Sequence, residues 1–433
     1  MIPASDLSYY IISLGCSKNQ TDSERLNGGL LSAGFTHAPA AEDADIVIVN
    51  TCGFIEDAKA ESIDVILDAA DLSDGPSVFP DGRKLVVTGC LSQRYREDLQ
   101  REMKEIDLVY GITDENLVPE ICERFGIRSK RAVFSRELLL PSPFEYIKIA
   151  EGCSNNCSYC AIPLIRGSHI SAPVDEVLRD AQTALGRGAR ELVIIAQDIA
   201  AYSHNGEDLY SLVSRIASSD GDFWIRLLYC HPDRIDERIQ DIFTDIPKVV
   251  PYIDVPLQHV DRDILASMNR RGDYDTYKNL IRGLRERVPG IAVRSTFMVG
   301  YPGETDEKFE KLMRFVLEVP LDRGGVFRYS PEEGTKAYGL GDVPDEETVV
   351  QRYNRLTQAM EEGFRTRLSS RIGSRVRVLV EEQTGEAEWI GRSVYDAPEV
   401  DGVFYLTGGE TLINSIVDAT VTDTLEFDLA GEL

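Results

Sequence analysis

Three of the eight cysteines, Cys153, Cys157 and Cys160, crowd onto one short loop with the spacing C-x3-C-x2-C. Three thiolates placed this way can wrap one face of an iron–sulfur cube. Such a cube normally takes four cysteines, so a loop that supplies three leaves one iron open for an exogenous ligand. Zinc is the weaker alternative, because structural zinc favours paired C-x2-C knuckles. Three unliganded thiols on a loop would be an oxidation liability. The loop therefore constrains the chain to a fold that can hold a cluster at a strand end.

Cys16, Cys52 and Cys90 share a different context. Each closes a short apolar run: Tyr9-Tyr10-Ile11-Ile12-Ser13-Leu14-Gly15, Ala44-Asp45-Ile46-Val47-Ile48-Val49-Asn50-Thr51 and Lys84-Leu85-Val86-Val87-Thr88-Gly89. These runs read as buried parallel strands. Helical stretches follow two of them, Thr21 to Ala33 and Ile55 to Ala70, so the first block is expected to be an open α/β sheet. Ligands bind beyond the carboxyl ends of such strands, where all three cysteines sit. Any one alone would read as a buried core residue. The shared position, at spacings of 36 (52 − 16) and 38 (90 − 52), points to a second three-cysteine site. Cys122, in the amphipathic stretch Asn116–Phe125, and Cys230, after Trp224–Tyr229, are expected in the core or lining a pocket.

The first block spans residues 5–128. A Pro-containing link leads to a second, 139–370, with candidate strands at Tyr146–Ala150, Glu191–Ala196, Trp224–Tyr229, Val250–Val255, Ala292–Met298 and Gly325–Tyr329. Helices are expected at Val174–Gly186, Asp208–Ser218, Asp236–Thr244, Asp261–Met268, Asp273–Arg287, Thr305–Val319 and Glu346–Ser370. About six βα units suggest a partial TIM-like (β/α)6 barrel, with the three-cysteine loop after its first strand, on the face where such barrels carry active sites. Residues 372–433 change to short strands broken by Gly and Asp: Arg375–Glu381, Glu388–Arg392, Gly402–Leu406 and Ser415–Val421. They read as a small all-β barrel of OB-like type. The fold class is α/β throughout, with that barrel appended.

Charge then narrows the partners. The 433 residues carry 46 basic and 73 acidic side chains, net −27, which argues against non-specific binding to nucleic acid or anionic membrane. Residues 373–433 hold 3 basic and 13 acidic groups, net −10. A barrel that tracks a nucleic-acid backbone needs a positive groove; this one would repel phosphate. No basic N-terminal region precedes a long apolar run, and no apolar run nears the ~18 residues of a spanning helix. A cytoplasmic protein with reduced thiols and no membrane partner is expected.

The loop and its continuation, Ala161-Ile162-Pro163-Leu164-Ile165-Arg166-Gly167, resemble the cluster motif of radical S-adenosylmethionine (SAM) enzymes, specifically the methylthiotransferases. The segments Ser13-Leu14-Gly15-Cys16-Ser17-Lys18-Asn19, Asn50-Thr51-Cys52-Gly53-Phe54 and Thr88-Gly89-Cys90 are similar to that family's N-terminal cysteine contexts, and residues 372–433 to its TRAM barrel. Within the family the RimO-type branch is most similar, through Cys52–Lys59, Tyr146–Cys153, Ile195–Asp198, Pro256–His259, Met268–Gly272, Tyr329–Thr335 and Asp396–Gly402. Ser17 departs from that branch, which usually has proline there.

The resemblance implies two 4Fe–4S clusters, one on Cys153, Cys157 and Cys160 with SAM, and an auxiliary one on Cys16, Cys52 and Cys90. The clusters and SAM would carry the chemistry, so no side chain is assigned as catalytic. It implies methylthiolation of an aspartate β-carbon in small-subunit ribosomal protein twelve, free or in the ribosome. An electron donor such as flavodoxin or ferredoxin is implied, and no tRNA partner. The runner-up is a tRNA adenosine methylthiotransferase of the same family. A non-catalytic ribosome- or RNA-binding protein is the rival of another class.

Tyr159 is implied beside the SAM adenine, or else a packed loop aromatic. Gly300 and Gly303, flanking Pro302, would let backbone approach SAM, or simply form a turn. Gln197 ends the second barrel strand and faces the active side, or makes a structural hydrogen bond. Arg166 would pair with a carboxylate of SAM or substrate, or form a structural salt bridge. Gln258 and His259 are expected to be structural, and Arg270 and Arg271 a solvated helix end.

Overall fold

Isoleucine and valine crowd the runs Ile46–Thr51 and Lys84–Gly89, and every residue of both is buried, as parallel strands covered on two faces must be. In the computed structural model they lie at the centre of a five-stranded parallel sheet. Its order is Thr36–His37, Ser8–Ser13, Ile46–Thr51, Lys84–Gly89 and Leu108–Val109. In chain order this is 2-1-3-4-5, the doubly wound arrangement whose switch point lies between the first and third strands. Helices Ser17–Ala33 and Glu56–Ala70 link these strands. The structure describes every residue except 73, 74, 76, 411 and 412.

The sheet belongs to a unit formed by Met1–Pro141 and Ala161–Ser168; the second unit comprises Ser142–Cys160 and His169–Leu433. In the second, six parallel strands stand in sequential order: Phe144–Lys148, Glu191–Ile195, Trp224–Leu227, Val249–Asp254, Ala292–Val299 and Arg323–Arg328. Sequential parallel order with intervening helices is the (β/α) barrel arrangement, here with six strands and an open edge. The first helices, Val174–Arg187, Leu209–Ala217 and Glu237–Asp245, bury one apolar stripe each against the outer face. Acidic N-caps such as Asp208, Asp236 and Asp273 accept backbone N–H bonds and fix where the helices begin.

The C-terminal strands close into a barrel in the order Arg375–Gly385, Glu388–Ser393, Phe404–Thr407, Asp428–Glu432 and Ile416–Leu425. Trp389, Phe404, Val378 and Leu429 fill it. Four strands are expected from the sequence and five are present. The extra one, Asp-Leu-Ala-Gly-Glu, lacks β-branched residues and is held by partners on both sides. A buried ionic knot seats the barrel on the (β/α) sheet. Glu191 accepts a hydrogen bond from Arg226 at 2.6 Å and forms an ion pair with the barrel's Arg392 at 2.7 Å, and all three side chains are almost wholly buried. The two guanidiniums hold the Glu191 carboxyl below its ordinary range although burial alone would raise it.

Candidate functional site

The two sets of three cysteines occupy two different kinds of ground. In the N-terminal unit, register places Ser13, Asn50 and Thr88 side by side. The chain leaves the sheet just beyond them, so Cys16, Cys52 and Cys90 stand at three neighbouring strand ends at the switch-point end of the sheet, Cys16 capping helix Ser17–Ala33 and Cys90 opening helix Cys90–Arg94. Glycines permit the close approach. A Cβ on Gly15, whose φ is +89°, would meet Cys52 Cβ at 2.8 Å. One on Gly53 would meet the Leu91 backbone nitrogen at 2.7 Å.

Asn19 knits the loops together. Its side-chain amide donates to the carbonyls of Leu14 at 3.0 Å and Thr51 at 2.9 Å, its backbone carbonyl accepts from Asn50 Nδ2 at 2.9 Å, and Cys90 Sγ lies 3.5 Å from its Oδ1. Ser62 Oγ brackets Cys52, accepting from its N–H and donating to its carbonyl. Helix Ser17–Ala33 begins four residues before the expected Thr21, with Cys16 as its N-cap residue. The reason is geometric: the helix starts where the strand-end loop closes, so its first turn points at the cysteine site. Burial works against ionising the Cys16 thiol, but Lys18, the backbone N–H of Asn19 and Arg166 outweigh it and bring the thiol below its ordinary value. Burial pushes Cys90 up to about 12 in the thiol form, with Arg166 pulling the other way.

Arg166 is buried. Its Nη2 donates to Asn19 Oδ1 at 2.6 Å, to Asp22 Oδ2 at 3.0 Å and to Cys90 Sγ at 3.4 Å. Of the readings open from the sequence, the structure shows the salt bridge and adds a thiol contact.

In the second unit, Cys153, Cys157 and Cys160 lie on one loop beyond strand Phe144–Lys148, all partly exposed. Neighbouring loops fix its path. Asn155 donates to Asp198 at 2.8 Å, and Arg234 pairs with the same carboxylate. Asn269 donates to the carbonyls of Asn155 and Asn156. Ser158 hydrogen-bonds Ser267 O at 2.7 Å and Tyr301 Oη at 2.9 Å. Tyr159 packs on Ile264, Met268, Met298 and Tyr301, and burial raises its hydroxyl well above the ordinary tyrosine range. Gln197 donates to Glu151, two residues before Cys153, at 3.1 Å. Gly300 and Gly303 both adopt left-handed φ, +77° and +81°. The Gly300 N–H donates to the buried Glu304, which also holds His259 and Arg352. His259 is thus a structural histidine, as expected.

Arg270 corrects the sequence reading. It is buried, not a solvated helix end. Helix Arg262–Ser267 stops short, Asn269 turns left-handed at φ +57°, and the next side chain swings inward. Its guanidinium donates to Pro256 O at 2.5 Å and reaches Cys157 Sγ at 3.6 Å. Arg271 stays exposed, as expected. Cys122 and Cys230 are core residues.

The donor chemistry suits clusters: all six cysteines are free thiols, and in a cubane each thiolate takes its own iron. Two buried polar atoms near the loop, Gln197 Oε1 and Arg270 Nε, have no hydrogen-bond partner, which suits a polar ligand there.

Comparison with known proteins agrees. "Uncharacterized protein family UPF0004" matches residues 8–111, "Radical SAM superfamily" residues 147–316 and "TRAM domain" residues 372–433. The ribosomal protein uS12 methylthiotransferase RimO of Natranaerobius thermophilus is 40% identical, with 98% of each chain covered. That of Geotalea uraniireducens is 41% identical, covering 98% of this chain and 97% of the relative. Among solved structures, the radical SAM methyltransferase TsrM from Kitasatospora setae, with cobalamin and a [4Fe-4S] cluster bound, superposes with a TM-score of 0.57. It is 15% identical over 77% of each chain, which shows the shared fold. Near 40% identity across almost the whole length, in the same domain order, places the chain in the RimO family of radical SAM methylthiotransferases.

Proposed function

We propose that this protein methylthiolates the β-carbon of an aspartate in ribosomal protein uS12. The observation that carries the reading is the pair of three-cysteine sites on a chain about 40% identical, end to end, to uS12 methylthiotransferases. Residues 5–128 carry the auxiliary site, 139–370 the SAM site and 372–433 the substrate-facing barrel. Cys153, Cys157 and Cys160 hold one 4Fe–4S cluster, and Cys16, Cys52 and Cys90 the other. When loaded, these clusters and SAM supply radical hydrogen abstraction together with sulfur and methyl transfer.

The chain's own residues bind and orient. Asn155, Asp198 and Asn269 lock the loop that presents three thiolates. Gln197 and Arg270 offer buried polar groups to SAM, while Tyr159 and the turn at Gly300 and Gly303 wall the same side. Asn19 and Ser62 hold the three auxiliary loops in register.

The barrel supports a protein substrate over a tRNA. Its three arginines each face a carboxylate: Arg375 pairs with Asp418, Arg377 with Asp222, and Arg392 with Glu191 and Glu381. Glu382, Glu386, Glu388, Asp423 and Glu426 remain exposed. Such a surface attracts a basic ribosomal protein and repels phosphate. No helix among the described residues is long and apolar enough to cross a membrane. The reaction belongs in the cytoplasm, with a flavodoxin- or ferredoxin-type reductant.

The test supplies reconstituted protein, SAM, a sulfide source and reductant to uS12 and, separately, to unmodified tRNA, with mass spectrometry of both. A methylthio group on one uS12 aspartate is expected. An unchanged uS12 beside a modified tRNA adenosine would overturn the substrate.

A further inference from the structure

Arg166 has no part in the proposed binding of SAM. It ends the short helix Ile162–Arg166, which follows directly on Cys160 in sequence yet folds with the N-terminal unit. Ala161 and Ile165 of that segment pack with Cys90 and Ile112 in a small apolar cluster, so the arginine enters a dry pocket. There one nitrogen, Nη2, meets Asn19, Asp22 and Cys90 Sγ. Asp22 and Asn19 are themselves buried and lie on the helix that Cys16 caps. The guanidinium is therefore aimed by fixed partners and has no freedom to leave.

A guanidinium fixed 3.4 Å from Cys90 Sγ is placed to donate to that sulfur when it serves as a cluster ligand. Hydrogen bonds to cluster sulfurs, together with net charge, are among what sets iron–sulfur potentials.

We propose that Arg166 is a positioning residue for the auxiliary cluster, holding its Nη2 against Cys90 Sγ and raising the cluster's reduction potential. This rests on the assignment of Cys16, Cys52 and Cys90 as cluster ligands.

The test uses full-length protein carrying Cys157→Ala, so that only the auxiliary cluster contributes, and measures iron content, melting temperature and midpoint potential by EPR-monitored titration. Arg166→Gln is expected to lower the potential by at least tenfold in the one-electron equilibrium, about 59 mV. Arg166→Lys, which keeps the charge but loses the fork, is expected to lower it by less. A purely structural role predicts lower melting with the potential unmoved. A retained cluster with unchanged potential in both variants overturns the proposal. So does loss of auxiliary iron that lysine restores no better than glutamine. If the parent chain itself held no cluster at the auxiliary cysteines, the ligand assignment would fail instead.

Discussion

The two cysteine sites bring three thiols together by opposite routes. Cys153, Cys157 and Cys160 come from one loop, so their convergence is local and depends on a handful of backbone bonds. Cys16, Cys52 and Cys90 come from three strand ends, so their convergence depends on a sheet whose register is right along its length. The loop site resembles a clip, and its cysteines are all partly open to solvent. The distributed site is a piece of the fold itself, its cysteines running from exposed Cys16 to buried Cys90 and its three strand ends tied through Asn19. A local site is tolerant of the scaffold and a distributed one inherits its cooperativity.

The largest expected effects separate the sites by chemistry. Cys153→Ala should abolish reductive SAM cleavage. Cys52→Ala should leave cleavage to 5′-deoxyadenosine running and abolish methylthio transfer, with both products read by chromatography. Loss of SAM cleavage in both would merge the two sites into one.

Next comes the demand for close approach. Gly53→Val places a side chain 2.7 Å from Leu91 backbone atoms, which cannot step aside. A cost of up to about 3 kcal/mol is expected, with auxiliary iron lost and loop iron kept. Urea unfolding with iron analysis reads both; a neutral valine would show that the three loops are looser than described. Asn19→Ala should cost about 2 kcal/mol, since it strips the partners of two buried carbonyls and of Arg166. No single residue of the loop site is expected to matter as much to stability.

The last effect is one of pH. Burial first, then Arg270 and Arg234, lowers the His231 pKa to about 3 from an ordinary 6.5. The unfolded chain therefore binds the extra proton first, and stability present above pH 6.5 is lost as pH falls toward 3. The slope is at most about 1.4 kcal/mol per pH unit. His231 opens the turn that carries Arg234, which braces Asp198 and so the loop site. Mild acid should loosen the loop site before the distributed one, and His231→Asn should flatten the dependence in melting curves at pH 5 and 7.

Legibility in the sequence follows the same division. The loop cysteines are readable as a group because all three fall within eight residues, Cys153 to Cys160. The strand-end cysteines were readable because three β-branched runs each stop just before one. The six (β/α) strands were marked by apolar runs and their helices by acidic caps. Arg270 was not readable: its burial follows from one left-handed residue, Asn269, that reverses the chain after a helix of ordinary composition. Asn19 precedes the helix expected from Thr21, and only the folded sheet shows that it ties the three strand ends together. The two-residue strands Thr36–His37 and Leu108–Val109 and the last barrel strand, Asp428–Glu432, are short and weakly patterned. Their neighbours impose them, and Gly431 lets the closing strand approach within 2.3 Å of Thr420 O at its ideal Cβ position.

The central claim is that one chain holds two separate clusters on these two grounds. Iron and acid-labile sulfide analysis with Mössbauer spectroscopy on the reconstituted wild type, Cys52→Ala and Cys153→Ala tests it directly. The account predicts two 4Fe–4S clusters in the wild type and one in each variant, with different spectra in the two variants. A single cluster in the wild type, or a variant that lost both or neither, would contradict it.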